Sequence, residues 1–384
     1  MKICYFGSYE KNYSRNKINY SGIKSNGVQT VDCFVEKETF KIENFGSIIR
    51  FVLFFPLSFL YRNLFLIVRG YVLFRKENYQ VIIVGYPGHL ELPAAFILKK
   101  IINKPIIFDS LTSLYDTFVF DRKLIKNILL SDLLFKFEKS LYGIPDCILV
   151  DTNSNGKFLS TTFHISSKKI RTLYVGAEDK LYKPTDLKRI KKNFTVMFYG
   201  YASPLHGIEY IIQAAKICQE KDQKIKFVLL GDGQTKQQNK KMVDELRLKN
   251  IEFLPSMEEK KASKVISNAD VILGVFKGSS KSLRVIPNKV YQGIAVGKPV
   301  ITQNSPAIRE VFKDKDQVYL CSPADSESLS KAILKLKSNQ VLRKKIAKNG
   351  HDLFLSEFTT LNIGNKFSQI INEVVHDFNF KTLN

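Results

Sequence analysis

A short basic segment contains the residues whose types and spacing best suit phosphate chemistry. Pro287 suits the first turn of a helix, because its missing N–H group needs no partner there. Apolar residues follow at helical spacing as far as Gly297, which suits a helix end. Arg284 and Lys289 lie on either side of the predicted N-terminus, where free N–H groups and the helix dipole favour an anion. The segment therefore predicts a phosphate site with Arg284 and Lys289 as its cations.

A second set of polar residues follows predicted strands in the first half of the chain. His89 comes soon after the strand at 81–84, and Asp109 comes directly after the strand at 105–108. Open α/β sheets bind ligands at the carboxyl ends of their strands, so we expect Asp109 and His89 to lie at a ligand site. An ordinary loop histidine and an ordinary polar loop after the first strand are the alternatives. The same rule predicts five further ligand-facing residues: Gly7, Tyr9, Arg15, Asp116 and Arg122.

The elements that must position these residues alternate between strand and helix. Residues 2–7 begin one such series, and residues 194–200 begin a second series of nearly equal size. This alternation is the pattern of a parallel sheet with helices on both faces, formed twice. The basic run at 188–192 reads as a solvated linker. We predict a first domain over 1–185 and a second over 186–360.

Residues 288–301 carry a family resemblance. Their sequence, Asn-Lys-Val-Tyr-Gln-Gly-Ile-Ala-Val-Gly-Lys-Pro-Val-Ile, resembles the donor-site signature of the retaining glycosyltransferases of family 4, the group 1 type. The resemblance implies an α/β GT-B fold: two Rossmann-like, doubly wound parallel-sheet domains that face each other across a cleft. The first would bind the acceptor and the second would bind the nucleotide sugar, and a last helix at 361–384 would cross back to the first domain. In the first domain the resemblance implies Asp109 and His89 as catalytic residues, and as acceptor-binding residues Gly7, Tyr9, Arg15, Asp116 and Arg122.

The sequence departs from this family at four positions. Two glutamates of the donor helix are replaced by Arg284 and Gln292, and an arginine and a lysine that neutralise the donor diphosphate are replaced by Tyr201 and His206. Arg284 and Lys289, with Lys281 as a third candidate, would replace the lost cations. The resemblance implies these donor-binding residues: Gly200, Tyr201, His206, Phe253, Leu254, Arg284, Asn288, Lys289 and Gln292.

The reaction implied by the resemblance is transfer of a sugar from a nucleotide-diphosphate sugar, with retention at the anomeric carbon. We expect no cofactor and no metal, because the chain has no Cys/His metal spacing and cations with helix N–H groups could hold the phosphates. Two alternatives stay open. The lost glutamates suit a non-catalytic GT-B subunit, and a sugar-nucleotide epimerase or a phosphorylase would use the same fold.

Charge and hydrophobicity indicate a membrane surface as a partner. The chain has 59 basic and 36 acidic residues, a net charge of +23, which suits an anionic partner. No nucleic-acid module is visible, so nucleic acid is not expected. Residues 48–75 are strongly apolar, but Arg62, Asn63 and Arg69 interrupt them before the roughly 20 residues that a membrane span needs.

This stretch therefore predicts an interfacial amphipathic helix, with Arg50, Arg62, Arg69 and Arg75 on lipid phosphates. A core helix of the first domain is the alternative. The spacing of the five cysteines does not suggest disulfide pairs, which is typical of a protein in a reducing compartment. We expect a cytoplasmic protein that is peripheral on the inner face of the cell membrane, and its acceptor to be a lipid-linked or cell-surface glycan.

Overall fold

The computed structural model of the protein describes residues 1–36, 45–185 and 193–383, and their side chains except those of 45–55, 382 and 383. The predicted linker at 188–192 and the side chain of Arg50 lie outside the described residues. Each half begins on a buried strand that is followed by alternating helices and strands. The strands of the first half are β1 (Lys2–Gly7), β2 (Gln29–Phe34), β3 (Ile82–Val84), β4 (Ile106–Asp109), β5 (Cys147–Val150) and β6 (Ile170–Thr172).

The second half contains six further strands, and helices connect the strands throughout. These strands are β7 (Phe194–Tyr199), β8 (Ile225–Leu230), β9 (Ile251–Leu254), β10 (Val271–Leu273), β11 (Val300–Gln303) and β12 (Tyr319–Cys321). The helices are α1 (Ser14–Ser25), α2 (Phe45–Glu77), α3 (Leu92–Ile102), α4 (Ile128–Tyr142), α5 (Asn153–Phe163), α6 (Ile208–Lys221), α7 (Lys236–Glu245), α8 (Glu259–Ser267), α9 (Ser280–Arg284), α10 (Asn288–Ala295), α11 (Pro306–Arg309), α12 (Ser326–Ser338), α13 (Gln340–Glu357) and α14 (Thr360–Leu383).

The strands form two six-stranded sheets, and every pairing within them is parallel. The orders are β2-β1-β3-β4-β5-β6 and β12-β11-β10-β7-β8-β9. The strand order reverses between β1 and β3 in the first sheet and between β7 and β10 in the second. Such reversals leave a crevice at the carboxyl ends of the strands. The predicted fold class, α/β with two doubly wound parallel sheets, is confirmed.

Helices cover both faces of the first sheet. Apolar side chains of α2, α3, α4 and α5 share one buried cluster with one face of the strands. On the other face, α1 and α14 belong to a cluster that continues into the second sheet. The C-terminal helix α14 therefore packs on the first half of the chain and joins the two halves through an apolar core.

The contact between α1 and α14 depends on two glycines. A Cβ atom on Gly22 would lie 2.5 Å from the carbonyl oxygen of Thr360 and 2.8 Å from the Cα of Gly364. Both distances are too short for a carbon atom, so only glycine lets the two helix backbones approach this closely. The sequence pattern carries no signal for this pair.

Helix α2 places Arg62 differently from the expectation that it contacts lipid phosphates. Arg62 is buried, and its Nη2 lies 3.5 Å from Oε1 of buried Glu91. Leu66, four residues later on the same helix face, is also buried. The charge that interrupts the apolar run in the sequence therefore points into the protein, and this expectation is corrected. Arg69 and Arg75 are exposed.

Gly364→Val should loosen the packing of the two halves. The added atoms would force α14 away from α1, and overpacking of this kind costs about 1–3 kcal/mol. Urea unfolding should show a lower free energy of unfolding by that amount. Leu361→Ala is the matched control, because Leu361 lies on the same helix and is half exposed. Equal stability of the Gly364 variant and the control would mean that the helix contact is not needed.

Candidate functional site: the cleft between the two sheets

A cleft of about 530 Å³ is lined by residues from both halves of the chain. Several of them directly follow the carboxyl ends of parallel strands. Tyr86 follows β3, Thr112 follows β4, Asp151 follows β5, and Gly200 with Tyr201 follows β7. The cleft therefore lies at the carboxyl ends of the strands, where the strand order predicts a crevice.

The N-terminus of α10 forms one wall of this cleft. Pro287 is its N-cap residue, and Asn288, Lys289 and Gln292 line the cleft beside it. The first N–H groups of a helix have no partner within the helix, so this wall offers donors and a positive dipole end. Gly200 approaches the same wall with a φ of +108°, and a Cβ there would lie 3.5 Å from the Lys289 ammonium.

Lys289 and His206 form a close pair on this wall. The Lys289 Nζ lies 2.9 Å from Nε2 of His206, and burial lowers the pKa of Lys289 to about 7. Burial, and then the charge of Lys289, lowers the pKa of His206, so the ring is neutral at neutral pH. The other ring nitrogen, Nδ1, lies 3.1 Å from the Ser203 hydroxyl and 3.4 Å from the Ser203 backbone nitrogen. In this pair the histidine is neutral, and the lysine can gain or lose a proton near neutral pH.

Arg284 does not line the cleft, which corrects its predicted place at the diphosphate. Its guanidinium donates to Asp116 at 2.9 Å and to the Ser280 carbonyl at 3.0 Å. The group also lies 3.7 Å from the centre of the Phe158 ring. Asp116 therefore pairs with the positive charge of Arg284, and the Phe158 ring covers one face of the guanidinium. Because Asp116 and Phe158 belong to the first half, Arg284 joins the two halves.

Lys281 is a second cation on the cleft wall. Its Nζ donates to Thr117 Oγ1 at 2.7 Å and lies 3.4 Å from Oδ2 of Asp121. Burial lowers its pKa, and the nearby carboxylates oppose that shift. Lys281, Thr117 and Asp121 all line the cleft, so this contact bridges its two walls.

Asp109 and Arg15 do not line the cleft, contrary to the roles predicted for them. Both side chains are completely buried, and Arg15 Nε donates to the two carboxylate oxygens of Asp109 at 2.7 and 2.8 Å. Asn19 also donates to Asp109, at 3.0 Å. Burial raises the pKa of Asp109, and Arg15 opposes this. The sequence rule placed Asp109 at the right end of its strand, but it could not foresee a partner that holds the side chain inside the domain.

His89 is likewise buried below the cleft. It packs edge-on against Phe108, and its Nε2 lies 3.5 Å from Oε1 of Glu138. Glu138 accepts hydrogen bonds from the backbone N–H groups of Leu114 and Tyr115. His89 therefore supports the loop after β4 and does not line the cleft.

The remaining predicted residues divide between the cleft and its surroundings. Of the acceptor-binding set, only Arg122 lines the cleft, while Asp116 pairs with Arg284. Gly7 and Tyr9 do not line it, and Tyr9 is buried. Of the donor-binding set, Phe253 lines a separate small cavity and Leu254 packs against the core. The donor-binding residues that line the cleft are Gly200, Tyr201, His206, Asn288, Lys289 and Gln292.

Asp151 is the most informative residue that the sequence analysis did not select. It is buried at the cleft, burial raises its pKa to about 6, and the Asn155 amide donates to it at 2.5 Å. Because Asp151 directly follows β5, the carboxyl-end rule would have found it. Other residues that line the cleft but were not selected are Tyr86, Thr112, Thr117, Tyr182 and Ser203.

Comparisons with known proteins agree with this architecture. Residues 182–353 match the family model described as Glycosyl transferases group 1. An uncharacterized glycosyltransferase of Methanocaldococcus jannaschii is 22% identical over 245 residues, which cover 62% of this chain and 61% of that protein. A phosphatidyl-myo-inositol mannosyltransferase of Mycobacterium leprae is 26% identical over 157 residues, which cover 41% of this chain and 40% of the relative.

Solved structures resemble nearly the whole chain. The structure of Anabaena HepE in complex with UDP and glucose has a TM-score of 0.69 and 16% identity, covering 97% of this chain and all of that one. Sucrose-phosphate synthase from Thermosynechococcus elongatus has a TM-score of 0.73 and 14% identity, covering 98% of this chain and all of that one. The chain therefore has the GT-B fold and carries a glycosyl transferases group 1 domain.

Asp109→Asn should mainly lower the free energy of unfolding of the protein. The substitution leaves the Arg15 charge buried beside a neutral amide, and breaking a buried ion pair costs about 3–5 kcal/mol. Urea unfolding measures this loss. The double variant Arg15→Met with Asp109→Leu is the matched control and should recover most of it, because no buried charge remains. Normal stability of Asp109→Asn would contradict this role for the pair.

Proposed function

We propose that this GT-B chain is a glycosyltransferase that transfers a sugar from a nucleotide-diphosphate sugar to an acceptor held across the cleft, with retention at the anomeric carbon. The observation that carries the proposal is the wall formed by the α10 N-terminus, Lys289 and His206, which faces polar residues of the first half across the cleft. A diphosphate needs cations and N–H donors on one side, and an acceptor needs polar contacts on the other.

The proposed donor site is the wall that contains α10. A nucleoside diphosphate brings about two negative charges, whereas a helix N-terminus supplies only about half a positive charge. Lys289, and Lys281 nearby, supply the remainder without a metal ion. Gln292, one turn after Asn288, is placed to hydrogen-bond the ribose. The structurally similar Anabaena HepE was solved in complex with UDP and glucose, which supports a nucleotide sugar as the donor.

The proposed acceptor side takes Asp151 in place of Asp109. Asp151 is ionised at neutral pH, because its pKa is about 6, and it can accept a hydrogen bond from a sugar hydroxyl. In the proposed step, the bond from the anomeric carbon to the diphosphate breaks and a bond to the acceptor oxygen forms on the same face. The acceptor proton passes to the departing diphosphate. The protein positions both substrates and stabilises the developing charge.

A lipid-linked or cell-surface glycan is the proposed acceptor, and the inner face of the cell membrane is the proposed location. Part of α2, Pro56–Glu77, is long and apolar enough to cross a membrane by length and composition. Arg62 faces inward, whereas seven large apolar residues are exposed in the part of α2 whose side chains are described, a pattern that suits a helix lying on the bilayer surface. The Mycobacterium leprae relative, a phosphatidyl-myo-inositol mannosyltransferase, also supports a lipid acceptor.

Lys289→Met should weaken UDP binding far more than uridine binding. A charge-assisted hydrogen bond contributes about 1.5–3 kcal/mol, which is a loss of roughly 10- to 150-fold in affinity. Isothermal titration with both ligands measures it. Lys344→Met is the matched control and should change neither affinity, because Lys344 is exposed on α13 and does not line the cleft. Equal weakening of both ligands by Lys289→Met would remove Lys289 from the phosphate site.

The same titration should depend on pH. Lys289 must be protonated to hold the diphosphate, and its pKa in the free protein is about 7. The affinity of the wild type for UDP should therefore be highest below pH 7, where Lys289 is protonated, and fall as the pH rises above 7, by up to tenfold per unit. Lys289→Met should show no such fall between pH 7 and 9.

Asp151→Asn should depress transfer while leaving UDP affinity near that of the wild type. The loss of a charge-assisted bond to the acceptor predicts roughly a 10- to 100-fold lower rate. The assay is release of free nucleoside diphosphate from sugar nucleotides, with a membrane lipid extract as the acceptor. A wild-type protein that binds UDP but releases none would instead be a non-catalytic subunit.

A further inference from the structure

One helical layer carries most of the exposed large apolar side chains in the described part of the chain. Helices α2, α3 and α4 pack on the same face of the first sheet through one buried cluster, so their outer sides face away from the sheet in the same direction. Seventeen of the 23 exposed large apolar residues lie on α2, on α3 and within residues 120–137. The other six are scattered: Met1, Tyr201, Val341, Leu355, Leu361 and Phe380.

The exposure is strongest in residues 120–137, which the sequence did not single out. Ile128 is 84% exposed, Leu129 is 74% exposed and Leu133 is 61% exposed. Phe120, Leu124, Leu130 and Phe137 complete the set. The opposite side of α4 is also apolar, because Leu141 and Tyr142 are buried against the sheet. An outward apolar side of this size on a surface helix marks an interaction site.

This surface begins at the rim of the cleft. Thr117, Asp121 and Arg122 line the cleft, whereas the neighbouring residues Phe120 and Leu124 are exposed. The chain thus passes within a few residues from the cleft wall to the apolar surface. Anything bound by residues 120–137 lies next to the acceptor side of the cleft.

Charge distinguishes a bilayer from another protein as the occupant. Lys123, Lys126, Lys136 and Lys139 are exposed among the apolar residues. The cores of protein interfaces are depleted of lysine, whereas lysine on a membrane surface extends its charge to the lipid headgroups. An anionic bilayer accepts both kinds of side chain, and the net charge of +23 adds long-range attraction.

We propose that residues 120–137 form a second membrane-binding element, which acts with α2 and α3 to hold the acceptor side of the cleft on an anionic bilayer. The acceptor is then an amphiphile whose hydroxyl reaches the cleft at the level of the lipid headgroups. This inference rests on the proposed glycosyltransferase function for the identity of the acceptor, but not for the membrane contact itself.

The absence of tryptophan from the sequence allows a direct test. Leu129→Trp reports on residues 120–137, and Leu64→Trp reports on α2. Val341→Trp is the matched control, because Val341 is 81% exposed but lies on α13 in the second half. With vesicles of phosphatidylglycerol and phosphatidylcholine, the Leu129 and Leu64 variants should show blue-shifted emission and quenching by lipids brominated in their acyl chains. The Val341 variant should show neither.

A response from Leu64→Trp alone would overturn the second element and leave α2 as the membrane contact. No response from either variant would overturn both. A blue shift of Leu129→Trp that grows with protein concentration in the absence of vesicles would identify a second copy of the chain as the occupant, and would also overturn the proposal.

A second pair of variants links the surface to the acceptor. Leu129→Asp with Leu133→Asp should lower vesicle binding and transfer to lipid acceptors at least tenfold, with unchanged UDP affinity, while Val341→Asp changes none of these. Unchanged transfer would overturn the link to the acceptor. Vesicle binding through Leu129 in a protein that does not bind UDP would refute the proposed function and leave the membrane element in place.

Discussion

The geometry of the cleft depends on the polar contacts that Arg284 makes between the two halves. Its guanidinium pairs with Asp116 at 2.9 Å, and its backbone carbonyl accepts a hydrogen bond from Thr152 at 2.5 Å. The ion pair has little exposure to solvent, so it is weakly screened, and removing one partner would leave a charge buried. The same residue therefore fixes how far α9, and with it the start of α10, lies from the first sheet.

Periodicity and strand order could be predicted from the sequence because they depend on backbone chemistry. Alternating strand and helix patterns predicted two parallel sheets, and residues 284–301 predicted a helix whose N-terminus faces the cleft. Lys289 lies where the phosphate argument placed it, since a residue in the first turn of a helix cannot lie far from its N-terminus. The predicted roles of Asp109 and Arg284 required knowledge of side-chain direction, which partners distant in sequence decide. Arg15 lies 94 residues from Asp109, and Asp116 lies 168 residues from Arg284.

The wall at α10 carries a different kind of cation from the arginine that the family resemblance leads us to expect. An arginine at this wall would stay charged at all relevant pH values, whereas burial lets Lys289 release its proton near neutrality. His206, held neutral beside it, can accept the lysine's hydrogen bond without adding charge. The protein thus avoids part of the penalty for a buried charge, and in the proposed function an arriving diphosphate would restore the charge that binds it.

The same segment of the first half serves both the cleft and the apolar surface. Residues 116–121 form a π-helical turn whose Thr117 and Asp121 contact Lys281 of the second half, while Phe120 points to solvent. Lys281 lies on α9, three residues before Arg284. The turn that carries exposed Phe120 therefore contacts the same short helix that precedes α10. A bilayer that holds Phe120 would therefore also hold the position of Lys281. Under the proposed function, contacts that span only a few residues would set the distance between an acceptor in the membrane and a donor on α10.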